Sequence, residues 1–193
     1  NMCLVDNGVF VVEAPSFLEV LKYNAFDQFY HEHQSYFSYI SLNNILVNVG
    51  MEIFDIESYS VHGGSYRYYI QTIGGNNIKT ENVKHILNKE VEYGIDNYDI
   101  IMQKINIMKQ NMLDIKSELT ELEEKNYQVV GYAATAKFIQ VINMCNLDHN
   151  LIKYIVDTTP YKHGKYVPNT KIEIKPYDIN CLDNVEYCFL GAW

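Results

Sequence analysis

Positive charge is scarce in this chain of 193 residues: 15 Lys and Arg face 24 Asp and Glu, for a net charge of −9, and Arg67 is the single arginine. That balance excludes the basic face that nucleic-acid binding usually requires. It also gives no long-range steering of anionic substrates, so any phosphate site has to be a local patch. A bidentate guanidinium clamp on phosphate or carboxylate has to use Arg67. Long apolar runs are missing as well. Val9–Val12 and Val129–Ala134 are far too short to span a bilayer, and the opening residues lack the basic and apolar parts of a secretory signal. Cys3, Cys145, Cys181 and Cys188 are dispersed with no CxxC pair. A zinc knuckle or other metal centre is therefore not expected, and reduced thiols in a cytoplasmic protein are. No repeat or low-complexity tract is visible.

What is present is an ordinary globular composition, 48% hydrophobic and 20% charged, enough for one large or two small cores. Val9-Phe-Val-Val-Glu13, bounded by Asp-Asn-Gly and Ala-Pro, suits a buried parallel strand. Ser41 is placed to cap a helix over Leu42–Val49 that ends at Gly50. Met51–Ser60 and Tyr66–Ile73 read as strands of an antiparallel hairpin across Val61-His-Gly-Gly-Ser65. Gly74-Gly-Asn-Asn77 breaks the pattern and marks a domain boundary. A short helix over about Glu81–Val91 follows, then a long one to about Lys125. In that helix Ile101, Ile105, Met108, Met112, Ile115, Leu119 and Leu122 form an a/d seam, which fits packing along a domain or, alternatively, a homodimer through Ile101–Leu122. From Tyr127 the pattern is strand–helix–strand (Tyr127–Tyr132, Ala136–Cys145, Leu151–Val156), with further strands at Thr170–Ile174 and Glu186–Leu190. This alternation implies a parallel sheet with helical layers.

Four stretches carry chemistry-bearing residues. Tyr30-His31-Glu32-His33 combines imidazoles, a carboxylate and a phenol, which on residue types alone suit acid–base work, a metal site or an aromatic structural turn alike. An extended backbone would split the histidines from their partners, so joint action requires a kinked loop. A metal reading would need His62 as a further ligand. His62-Gly63-Gly64-Ser65 with Arg67 is either a hairpin turn or a backbone that a ligand can approach closely. Gly131-Tyr-Ala-Ala-Thr-Ala-Lys137 joins a strand to a helix, where small residues would let a phosphate reach helix N-terminal amides beside Lys137, or would merely permit tight packing. Asp157 through Pro168, with Lys162, His163 and Lys165, is the most basic stretch; its alternative is a solvated loop.

Taken in order, these four motifs resemble those of the S-adenosylmethionine-dependent nucleotide-sugar C-methyltransferases, over nearly the whole chain from Val9. The resemblance implies an α/β fold: part of a class I methyltransferase sheet ending in an antiparallel hairpin (1–76), a linker with a short helix (77–96), then a long helix and a Rossmann-like parallel-sheet domain (97–193). It implies methyl transfer to the carbon beside the ketone of a 4-keto nucleotide sugar through a base-generated enolate. His33 would be the base, with Tyr30 and Glu32 positioning it or contacting the enolate oxygen. His62, Gly63, Gly64, Ser65, Arg67, Lys137 and Lys162 would line the substrate side. Most of the S-adenosylmethionine site would lie outside this chain, which makes a non-catalytic nucleotide-sugar binding or assembly module the alternative. Ala133 stands where the family element usually has its second glycine, and Phe138 where a small residue is common. An alanine required at positive φ would be strained.

Overall fold

Tyr66, Tyr68 and Ile70 alternate with Arg67 and Tyr69, and this period of two makes Ser65–Thr72 (β3) the central strand of a three-stranded antiparallel sheet. Its neighbours are Phe10–Pro15 (β1) and Met51–Tyr59 (β2), in the order β1-β3-β2. The computed structural model describes residues 4–178 and 182–192, in two units: 4–25 with 34–106, and 26–33 with 107–192.

In the first unit the buried face of β3 meets Ile53 and Ile56 of β2, Leu42 and Leu46 of Tyr39–Asn48 (α2), and Val83 and Ile86 of Glu81–Tyr93 (α3). Phe17–Tyr23 (α1) follows β1 and is capped by Ser16. Two expectations are corrected here. The first strand is present, but its ladder is antiparallel to β3, and among the described residues it is an edge strand with Phe10 and Val11 about half exposed. A run of four apolar residues does not distinguish an edge strand from a buried parallel one. Second, α2 starts at Tyr39 with Ser38 as its cap: Ser38 Oγ accepts from Ser41 N, and Ser41 Oγ from Ser38 N. Ser41 is thus the reciprocal member of a capping box rather than the cap itself.

The second unit holds a parallel sheet in the order β6-β5-β4-β7, made of Val129–Tyr132 (β4), Tyr154–Asp157 (β5), Glu173–Pro176 (β6) and Tyr187–Leu190 (β7). Ala136–Met144 (α5) connects β4 to β5 and buries Phe138, Val141 and Ile142. A Cβ on Gly131 would lie 2.7 Å from Phe138 and 2.8 Å from Ile155, so this glycine serves close strand–helix packing. β6 begins later than the expected Thr170 because that stretch turns back on itself, with Val167 N donating to Ile172 O and Thr170 N to Val167 O. The long helix is Tyr98–Glu124 (α4), and its seam residues Met108 and Leu119 are buried. The chain is therefore α/β with one antiparallel and one parallel sheet, as the sequence implies. No helix among the described residues is long and apolar enough to cross a membrane.

Candidate active site

The backbone of 26–33 is kinked. A 3₁₀ turn, Phe26–Gln28, is followed by Tyr30 N donating to Gln28 O (3.0 Å) and His33 N donating to Tyr30 O (2.9 Å). These turns bring the rings of Tyr30 and His33 to 4.3 Å between centroids. The Tyr30 hydroxyl oxygen lies 3.1 Å from His33 Nε2, and His33 Nδ1 lies 3.0 Å from the Gln28 carbonyl oxygen. A carbonyl can only accept, so Nδ1 carries the proton and donates it. In the neutral ring Nε2 then keeps its lone pair and accepts from the Tyr30 O–H. An imidazole held in one tautomer with its basic nitrogen beside a hydroxyl is equipped to take a proton from a carbon acid. Burial, and then the charges of Glu32 and Asp27, push the Tyr30 phenol above its ordinary pKa, so it stays a donor at neutral pH. Glu32 is turned elsewhere: its carboxylate is 3.9 Å from His31 Nε2, and the two side chains are 64% and 80% exposed.

Lys137, in the first turn of α5, has its Nζ 3.7 Å from Asp27 Oδ2, with the two side chains only 21% and 14% exposed. Three loop amides ahead of the helix are engaged within the fold: Ala133 N donates to Val156 O, Ala134 N to Asp157 Oδ2 and Thr135 N to Ala133 O. Ala133 does adopt a left-handed backbone, with φ +67°. Lys162 Nζ donates to Asp157 Oδ2 and to Ala134 O, both at 2.9 Å. Burial opposes ionisation of Asp157, but bonds from Lys162, from the Thr159 side chain and from the Thr159 and Ala134 amides prevail and hold its pKa at about 2. Lys162 and Asp157 thus tie the β4–α5 loop to the segment after β5.

In the first unit, Gly63, Gly64 and Ser65 line an open cleft of about 510 Å³. Gly64 has φ +128°, and a Cβ there would meet Glu19 Cγ at 2.7 Å, so no other residue fits without displacement. The cleft is completed by the phenols of Tyr23, Tyr59 and Tyr66, the serines at 58 and 60, and Lys89 from α3. His62, at φ +54°, and Arg67 are not among its lining residues. Arg67 is flanked across the sheet by Glu13 on β1 and Glu57 on β2. Its Nη2 donates to Glu13 Oε2 (2.7 Å), its Nε to the same oxygen (3.0 Å), and its Nη1 to the Tyr59 hydroxyl (2.9 Å). The hydrogen bonds to Glu13, foremost, raise its pKa further. The guanidinium is therefore engaged by its own sheet.

Sequence reasoning gave no role to Gln28, whose contribution is a backbone carbonyl that any residue supplies, or to Asp27, a carboxylate three residues ahead of Tyr30. Lys89 and Tyr23 also carried no signal, since only the fold brings them to the Gly-Gly turn.

Residues 60–193 match the family model described as the C-methyltransferase C-terminal domain. C-methyltransferase NovU of Streptomyces niveus is 30% identical over 190 residues, which cover 98% of this chain and 45% of NovU. The chain thus spans rather less than half the length of that relative. Both matches lead to one conclusion: the chain belongs to the C-methyltransferase family.

Proposed function

We propose that this chain carries the proton-abstracting part of an enzyme that transfers methyl from S-adenosylmethionine to the carbon beside the ketone of a 4-keto nucleotide sugar. The observation that carries this reading is the tautomer set by the Gln28 carbonyl, which leaves His33 Nε2 as the basic atom. His33 Nε2 takes the proton from the carbon next to the ketone. The C–H electron pair becomes the carbon–carbon double bond of the enolate, and the negative charge moves to the former ketone oxygen. Nδ1–H, held by Gln28 O, keeps the ring in place while the imidazolium exists. Tyr30, released from Nε2 as substrate enters, donates its O–H to the enolate oxygen. A base so placed contributes roughly 10²–10⁴-fold. The resemblance also assigns Glu32 to this site, but its carboxylate faces the exposed His31 rather than His33, so no step is given to it.

S-adenosylmethionine would supply the methyl group, and the loop amides at the two strand-to-helix turns of this chain are already bonded within the fold. The strand-to-helix turn of the first unit has its amides occupied, Ser16 N by Gly64 O and Phe17 N by Phe37 O. The amides of the β4–α5 loop are likewise engaged. No step of donor binding is therefore ascribed to these residues. The cleft at Gly63–Ser65, with its phenols and serine hydroxyls, is suited to a hydroxyl-rich sugar.

The base is tested without the methyl donor. The complete gene product carrying this chain is incubated with a 4-keto nucleotide sugar in D₂O, and deuterium uptake beside the ketone is followed by NMR. Uptake is expected in the wild type, with a loss of about 10²–10⁴-fold in His33→Ala. Uptake at the wild-type rate in His33→Ala removes His33 as the base. No uptake in the wild type would favour the binding-module alternative.

A further inference from the structure

We propose that Lys137 is a positioning residue for His33: through Asp27 it fixes the 3₁₀ turn whose last carbonyl selects the histidine's tautomer. The inference rests on the reading of His33 as the base. It gives Lys137 a different task from the substrate binding that the resemblance implies.

A lysine in the first turn of a helix is poorly placed, because the helix dipole is positive at that end. A compensating partner is needed, and the structure supplies Asp27, 3.7 Å away. Both side chains are largely withdrawn from water, so the pair is screened less than a surface pair. The cation end is itself held. Thr135, the N-cap of α5, accepts from Phe138 N at 3.1 Å and donates to Gly191 O at 2.6 Å, fixing the helix start beside the end of β7. The anion end is held too. Asp27 is the middle residue of the turn, and its neighbours Phe26 and Gln28 are 8% and 3% exposed where the turn packs against α5.

The next link is the Gln28 carbonyl, which accepts both Tyr30 N at 3.0 Å and His33 Nδ1 at 3.0 Å. Two donors converge on one oxygen, which matches its two lone pairs. A small rotation of the turn would withdraw that oxygen from Nδ1 and leave the ring free to change tautomer. The path runs from Lys137 across a 3.7 Å ion pair to the buried Asp27 Oδ2, which has no hydrogen bond of its own among the described residues, then along the turn to the Gln28 carbonyl and to His33, with Nε2 as the outcome.

The test reads the tautomer directly. In the complete gene product with ¹⁵N-labelled imidazoles, His33 is assigned by the signal missing in His33→Asn, with no substrate present. The wild type is expected to show a protonated Nδ1 and an unprotonated Nε2. Lys137→Ala is expected to move His33 toward the Nε2–H form, and Lys137→Arg to restore the wild-type pattern. Asp27→Asn, which keeps the side chain's size, is expected to reproduce the Lys137→Ala shift and covers the case in which Lys137→Ala does not fold. In kinetics, kcat of Lys137→Ala falls by about 10- to 100-fold, as for other supporting partners, while KM for the nucleotide sugar stays within about twofold. An unchanged tautomer in Lys137→Ala, or in Asp27→Asn if the former does not fold, overturns the proposal. So does a raised KM at unchanged kcat, which would return Lys137 to substrate binding. Because the tautomer is read without substrate, its outcome is separate from the deuterium-uptake test of His33 as the base.

Discussion

Glu90 on α3 reaches the start of α2, where its Oε1 accepts a 2.7 Å hydrogen bond from the backbone N–H of Tyr39. Oε2 accepts from Ile40 N at 3.0 Å, so one fully buried carboxylate satisfies two amides that a helix start leaves without intrahelical partners. Glu90→Ala would leave the buried Tyr39 amide and the partly buried Ile40 amide unbonded, and a loss of about 2–4 kcal/mol is expected in urea unfolding. Burial pushes the Glu90 carboxyl above its usual pKa, against the two amide bonds. A raised acid pKa contributes stability below the unfolded value that is lost as pH rises through the folded value. Glu90→Gln should therefore cost less than Glu90→Ala and flatten that part of the pH dependence. Equal losses in the two variants would refute this account.

Asp157 behaves in the opposite sense. Its pKa falls from 3.8 to about 2 in the folded protein, so its contribution is present above about pH 4 and is lost as pH falls toward 2. At about 1.4 kcal/mol per unit, Asp157→Asn should cost roughly 2 kcal/mol at pH 7. The difference from wild type should close on acidification. Unfolding midpoints across pH 2–7 measure it, and a constant difference would exclude the Lys162 and amide bonds as its source.

Ala133 sits at φ +67°, where a Cβ is crowded and glycine is not. Ala133→Gly relieves that strain, offset in part by the greater freedom of glycine in the unfolded chain. A net gain of about 1 kcal/mol in urea unfolding is expected. Ala133→Val should lose stability, because a branched side chain in this backbone region is more crowded still. A destabilised glycine variant would show that the alanine methyl packs more favourably than its backbone is strained.

The legible parts of this fold are those in which side-chain period decides structure. Tyr66, Tyr68 and Ile70 announce β3 by alternation, and the strand–helix–strand pattern after Tyr127 announces α5. What stayed hidden depends on partners distant in sequence. Whether Ser38 or Ser41 caps α2 is bound up with Glu90, some fifty positions later. The antiparallel pairing of β1 depends on β3. At the candidate site, the types and spacing of Tyr30 and His33 were visible, but not their contact, which a kinked backbone creates. The Gln28 carbonyl left no trace in the sequence because backbone atoms have no letter. Arg67 was conspicuous as the lone arginine, yet Glu13 and Glu57 become its neighbours only through strand register.

Tyr30→Phe separates the two tasks proposed for the Tyr30–His33 pair. Phenylalanine keeps the ring that lies 4.3 Å from the imidazole and removes only the hydroxyl. Since Nδ1–H still donates to Gln28 O, the tautomer of His33 should be unchanged in ¹⁵N spectra. The enolate oxygen, however, loses its donor, and losing one such donor costs on the order of 10²–10³-fold in rate. Deuterium uptake beside the ketone should fall by that factor in the complete gene product, with KM nearly unchanged because the interaction is made only as charge develops. If uptake stays at the wild-type rate, Tyr30 is confined to packing beside His33 and another donor must meet the enolate oxygen. If instead the tautomer shifts, the phenol shares with Gln28 the task of setting it, and His33 Nε2 depends on both contacts.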